Sequence, residues 1–324
     1  MIVRWGLDEL EPLLSELGIS RPLLVTSKRL GEIMLPVAAR FAGVRRHAPV
    51  ETVSAAVAAA RDSDGVVGLG GGSAIDTAKA VSAELGIPLV AVPTTYAGAE
   101  WTPYFGMRDE ARKLKTGGGG AGTLAVVYEP ELTLGLPRDE TVGTALNALA
   151  HSAEALYVEG RNADGDAESL AGADLIARWL PETVARPDDL RARAGLLQGA
   201  MHAGKALGLT GLALAHALAQ ALGGRYGLPH GAMNALTLAP TLRFNEPVVP
   251  DAVERFGRAL GSDDAATRIE ELAGLGGFQR LRDFGVPEEE LPLVAAEAAA
   301  RPGALANPRP VSPDDAFSLL RGIW

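Results

Sequence analysis

Three histidines and two amides, side chains able to relay protons or hold a metal ion, recur at spacings that a helix can use. Asn147 and His151 are four apart in ALNALAHSAEALY, hence on one face of a helix. His216 opens LAHALAQALGGRYGLPHG, with Gln220 one turn later and His230 fourteen residues on, just past a Gly-Leu-Pro turn. Neutral imidazoles from one helix, a following turn and a neighbouring helix can converge on a divalent ion such as zinc or iron. Each of these histidines, taken alone, reads as a hydrogen-bonded core or surface residue, and His47 and His202 are left with that reading. A second stretch offers different chemistry. Val66 to Ser82, VVGLGGGSAIDTAKAVS, runs from a β-branched segment into Gly68, Gly70, Gly71, Gly72 and Ser73, and turns helical from Ala74. Residues without Cβ let the backbone approach a ligand, and the helix start presents unpaired N–H groups and a positive dipole end, so the turn suits a pyrophosphate. Ser73 is placed to cap the helix and donate to a phosphate oxygen, with Asp76 and Lys79 on one helix face within reach of the same cleft. The spacing is not G-x-G-x-x-G, and the same glycines would also serve a tight strand-to-helix turn with no ligand.

These groups need a frame. Apolar positions predict a helix over 7–17, strands at 22–26, 66–69, 88–92 and 124–128, and helices over 53–60 and 77–85. That alternation indicates an α/β fold with a doubly wound parallel sheet. Thr94 and Thr95 follow the strand PLVAV, which sets their hydroxyls at a carboxyl end of the sheet, where open α/β folds bind ligands. Ser27, Lys28 and Arg29 follow an earlier strand without an acidic residue, a pattern that suits the 2′-phosphate of NADPH as well as NADH, or a solvated loop. Lys115 precedes TGGGGAG (116–122), read as a mobile loop or weakly ordered hairpin tip. Beyond Pro137 only Ala- and Leu-rich helical segments follow, with breaks expected at Gly160, Pro181, Pro187, Gly208, Gly227 to Pro229, Pro247 and Pro302. The expected division is a dinucleotide-binding α/β domain over 1–137 and an all-helical domain for the substrate or metal site over 138–324.

Composition narrows the classes. The 324 residues carry a formal charge of −10, which argues against nucleic-acid and anionic-membrane partners and leaves a small-molecule substrate. Cysteine is absent, which removes disulfides, thiolate nucleophiles and cysteine-ligated zinc and confines metal ligands to His, Asp and Glu. No run reaches about 18 apolar residues and the first residues lack a signal-peptide pattern, so a cytoplasmic location is expected.

Taken together, these motifs resemble the iron-containing alcohol dehydrogenase superfamily over nearly the whole chain. Its GGGS-x-x-D-x-A-K pattern is met by Gly70, Gly71, Gly72, Ser73, Asp76, Ala78 and Lys79, its P-T-T loop by Pro93 to Thr95, its helical pair by Asn147 and His151, and its H-x13-H by His216 and His230. Within it the chain is most similar to the maleylacetate reductases, through VPTTYAGAEWTPYFG (92–106), ALNALAHSAEALY (145–157) and NPRPVSPDDAFSLLRGIW (307–324). The resemblance implies a dehydroquinate synthase-like fold, a homodimer, and hydride transfer from NADH or NADPH to the C=C bond of maleylacetate, giving 3-oxoadipate. It implies His151, His216 and His230 as acids or enolate-stabilising groups, Thr95 and Tyr96 with Asn147, Gln220 and Arg225 on the substrate side, and Lys79 and Lys115 at the cofactor. Metal-dependent relatives place Asp where Asn147 stands, so Fe2+ or Zn2+ held by the three histidines would bind weakly here or not at all. Gln220 and Ala99 depart from the family pattern, which usually has His and Ser there. The alternatives are a metal-dependent alcohol dehydrogenase or carbonyl reductase, a lyase of the dehydroquinate synthase type, and a non-catalytic nucleotide binder.

Overall fold

Short strands buried along their whole length can only lie in a sheet covered on both faces, and this is how the first part of the chain is built. In chain order it contains β1 (Ile2–Trp5), α1 (Leu10–Glu16), β2 (Pro22–Thr26), β3 (Ala39–Phe41), α2 (Val50–Ala59), β4 (Gly65–Gly70), α3 (Gly72–Leu85), β5 (Leu89–Pro93), β6 (Phe105–Asp109), β7 (Leu114–Gly118) and β8 (Thr123–Tyr128). Six strands form one sheet in the order β1-β8-β5-β4-β2-β3, every neighbouring pair parallel. Alternate residues face opposite sides. Leu24, Val67, Leu69, Val90, Val92 and Val127 pack with α1, whereas Leu23, Val25, Val66 and Leu89 pack with Ala56 of α2 and Ala78 and Val81 of α3. The fold is α/β with a doubly wound parallel sheet.

The computed structural model describes residues 1–324. It divides into two compact units, Met1–Thr95 with Ala99–Gly135, and Leu136–Trp324 with the tripeptide Tyr96–Gly98. The second unit contains α4 (Arg138–Ala155), α5 (Ala163–Ala185), α6 (Leu190–Leu209), α7 (Leu214–Tyr226), α8 (His230–Asn245), α9 (Pro250–Ala259), α10 (Ala265–Gly274), α11 (Leu291–Ala299), α12 (Pro302–Leu305) and α13 (Pro313–Gly322), with no strand. Every residue of α4 from Ala145 to Ala155 is buried, so this helix is the axis on which the unit packs.

Three expectations change. The first half of the glycine string is strand, and only 119–122 run as a loop between β7 and β8. Gly117 and Gly118 belong to β7, which pairs antiparallel with β6. A Cβ on Gly118 would lie 2.6 Å from the Phe105 ring, so the missing side chains make room for aromatic packing. Pro181 does not break a helix, since it lies inside α5, whereas the break expected at Gly208 falls one residue on, at the end of α6. Pro181 removes one hydrogen bond near the end of a 23-residue helix that its tertiary packing holds in place. The first residues, assigned no strand from sequence, form β1, whose pairing with β8 is visible only in the fold.

Candidate active site

In the first unit the glycine turn joins β4 to α3. Gly70 has φ of +144°, and a Cβ on Gly71 would lie 2.8 Å from Thr95 Cγ2, so neither position takes a side chain easily. Space beside the Gly72 Cα is open, and no side chain caps α3. Ser73 lies inside the first turn and is not the cap expected from sequence. Its Oγ accepts the His47 N–H at 2.9 Å, leaving its own hydroxyl proton to donate elsewhere. Thr94 donates its N–H to Gly70 O, and its buried Oγ1 has no hydrogen-bond partner in the protein. An uncapped helix start, open space at glycine and an unpartnered hydroxyl fit a pyrophosphate.

Lys79 is placed otherwise than expected. It is fully buried, and its ammonium donates to Ala99 O, Thr102 Oγ1 and Tyr104 O, so it holds the 99–104 loop in place of reaching a cofactor. Burial pulls its pKa down against the opposing charges of Asp76 and Glu100. Burial raises the Asp76 carboxyl, countered by Lys79, Lys115 and the Gly106 N–H, so Asp76 and Lys115 tie the β6–β7 hairpin to α3. Burial likewise raises Glu100, which accepts the Tyr128 hydroxyl at 2.7 Å.

In the second unit α4, α7 and α8 bring the histidines together. The rings of His151 and His216 stack at 4.6 Å and 11°, and His230 lies 5.7 Å from His216. Asn147 is the hub. Its Nδ2 donates to Ala97 O at 3.0 Å, and its Oδ1 accepts Asn234 Nδ2 at 2.7 Å and faces His216 Nε2 at 3.2 Å. His216 Nδ1 meets Glu154 Oε2 at 2.7 Å, and Glu154 also accepts the N–H groups of Ala213 and His216 at the start of α7. Both nitrogens of His216 thus face oxygen atoms, Nδ1 a buried carboxylate and Nε2 an amide oxygen. His151 is the opposite case. Burial, with the neighbouring His216 second, depresses its pKa well below the ordinary histidine value, so it is neutral, and its Nδ1 has no partner in the protein. Adjacent imidazoles in different hydrogen-bonding environments, one against a carboxylate and one without a partner, are a usual basis for acid–base work.

Comparison with known proteins decides the family. A family model for the C-terminal part of Fe-containing alcohol dehydrogenases matches residues 141–324, and one for iron-containing alcohol dehydrogenase matches residues 3–127. The chain belongs to the iron-containing alcohol dehydrogenase family. It is 41% identical to a maleylacetate reductase of Sphingobium indicum over 86% of this chain and 80% of that one. It is 36% identical to maleylacetate reductase 1 of Rhodococcus opacus over 95% and 89%. The crystal structure of maleylacetate reductase from Rhizobium sp. strain MTP-10005 covers 100% of the chain and 95% of its own, with a TM-score of 0.91 and 33% identity.

The family name raises the question of a metal, and as the side chains lie here two of the expected donors are already hydrogen-bonded within the protein. Asn234 Nδ2 occupies lone pairs of both Asn147 Oδ1 and His230 Nε2, the latter at 3.1 Å. The rings of His151 and His216 lie stacked and nearly parallel, and the one carboxylate shown bonded to the cluster, Glu154, meets it on the Nδ1 side of His216. Among the substrate-side candidates, Tyr96 is fully buried and its hydroxyl accepts from Arg193 Nη1 at 3.1 Å, so it anchors the 96–98 segment to the helices. Arg225 is not at the histidines' face: its Nε donates to Glu290 at 2.8 Å. Gln220 accepts instead from Arg301. Sequence reasoning missed Glu154, Asn234 and Arg301. Glu154 had a signal, since 147, 151 and 154 follow i, i+4, i+7 on one helix face.

Proposed function

We propose that the chain is an NAD(P)H-dependent reductase of the maleylacetate reductase type that adds hydride to the C=C bond of maleylacetate without a metal ion. The observation that carries this reading is Asn147. A neutral amide stands at the hub, its oxygen hydrogen-bonded to Asn234 and facing His216 Nε2, so in this reading the charge that meets the substrate is supplied by His216 against Glu154 and not by an ion. The N–H groups opening α3, with the Ser73 and Thr94 hydroxyls, would hold the dinucleotide pyrophosphate. When bound, the nicotinamide supplies the hydride. Hydride arriving at the alkene carbon pushes the C=C electrons onto the conjugated carbonyl oxygen as an enolate. His216, its charge stabilised by Glu154, lowers the energy of that oxyanion, and an imidazole N–H of the cluster returns a proton to the other alkene carbon. One hydride and one proton are added and no leaving group departs.

NADH or NADPH oxidation with maleylacetate, with 3-oxoadipate identified as product, tests the assignment; absence of turnover with both cofactors would end it. The unpartnered His151 Nδ1 and Asn234 Oδ1 favour a second reading, a metal-dependent alcohol dehydrogenase in which the cluster rearranges around an ion. The location we propose is the cytoplasm and the assembly a homodimer, both as the family resemblance implies.

A further inference from the structure

Arg301 stands at the start of α12 and reaches across to α7. Its Nη2 pairs with Glu297 near the end of α11, its Nη1 donates to Gln220 Oε1 over a long 3.4 Å, and its Nε–H is buried with no acceptor in the protein. Gln220 follows His216 by one turn on the same face of α7, so a guanidinium is held beside the histidine cluster's own helix face. A buried donor without an acceptor is costly and uncommon in a folded chain, and a guanidinium matches the geometry of a carboxylate better than any other side chain. The other cation near this stretch, Arg225, is engaged by Glu290, and Tyr226 donates to the same carboxylate.

We infer that Arg301 binds one carboxylate of a dicarboxylate substrate through its Nε–H and Nη2–H edge, with Glu297 holding Nη2 when no substrate is present and giving it up on binding, and with Gln220 orienting the guanidinium through Nη1. Arg301 is thereby a specificity-determining residue. The inference rests on the reductase reading for the identity of the acid.

The test is steady-state kinetics of the full chain with maleylacetate and NADH for Arg301→Met, Arg301→Lys and Glu297→Gln, beside calorimetric binding of 3-oxoadipate. Loss of hydrogen bonds to a charged group predicts that Arg301→Met raises KM for maleylacetate about 30- to 100-fold, with kcat within about threefold and KM for NADH unchanged. Arg301→Lys should fall between, and Glu297→Gln, which removes a competing carboxylate, should lower KM about two- to fivefold. An Arg301→Met KM within twofold of wild type, or an equal rise in KM for NADH, overturns the inference. Should Arg301→Met fail to fold, unchanged KM in both Arg301→Lys and Glu297→Gln overturns it equally. If the wild type does not turn over maleylacetate, the reductase reading fails by itself. Arg301 is then judged by 3-oxoadipate alone: binding lost in Arg301→Met supports the carboxylate site, and equal or absent wild-type binding refutes it.

Discussion

Two clusters of buried polar groups, one in each unit, look alike in sequence and differ in how their hydrogen bonds close. Around α3, Lys79 meets three oxygens of the 99–104 loop, and Glu100 meets Tyr128, which in turn accepts from Trp101. Around α4, α7 and α8, His151 Nδ1, Asn234 Oδ1 and Arg301 Nε have no partner in the protein. A closed network fixes a loop. An open one holds donors and acceptors ready for something that is not protein. On the proposed reading, the contrast separates residues that shape the fold from residues placed to meet a ligand.

The sharpest way to break the contrast is Lys79→Met. Removing a buried charge from among Asp76, Glu100 and three loop oxygens should cost about 3–5 kcal/mol in denaturant unfolding. A variant of wild-type stability that only loses cofactor affinity would make Lys79 a ligand contact. Glu154→Gln should lower kcat about 10²- to 10⁴-fold while leaving cofactor affinity intact, because His216 loses the carboxylate that stabilises its charge; near-normal kcat would remove the imidazolium from the account. Asn147→Asp sharpens the comparison from the other side. It supplies the carboxylate that metal-dependent relatives have and forfeits the donation to Ala97 O, so Zn2+ or Fe2+ affinity by calorimetry should rise at least about tenfold.

Smaller effects follow from His151 and Arg225. The native state holds His151 unprotonated below its ordinary value, so below about pH 6.5 the unfolded chain binds more protons. Stability therefore rises with pH in that range and is lost on acidification, by up to about 1.4 kcal/mol per pH unit from this group. His151→Gln should flatten that share of the stability profile, and an unaltered slope would contradict the neutral assignment. Arg225→Ala removes a partly exposed ion pair with Glu290 and should change stability by no more than about 1 kcal/mol and KM not at all.

What could be read from sequence was what is local. The strand, glycine turn and helix of 66–82 are contiguous, and Asn147 and His151 share a face through the helical period alone. Glu154 obeys the same period, yet an acid in an alanine-rich helix looks like a solvated charge until α7 is laid against it. Arg225 drew attention by proximity in sequence, whereas the cation that reaches Gln220 is 81 residues away on a helix whose packing no spacing reveals. Gly117 and Gly118 suggested mobility because what they make room for, Phe105 on the opposing strand, lies outside the glycine string.

Central to the account is an imidazolium, held by Glu154 and Asn147, in the role a metal ion would otherwise take. The most direct measurement is the rate of NADH oxidation by maleylacetate before and after exhaustive chelation, with metal content determined on the same sample. Unchanged turnover in metal-free protein is the predicted result; turnover lost on chelation and restored by iron or zinc would contradict it.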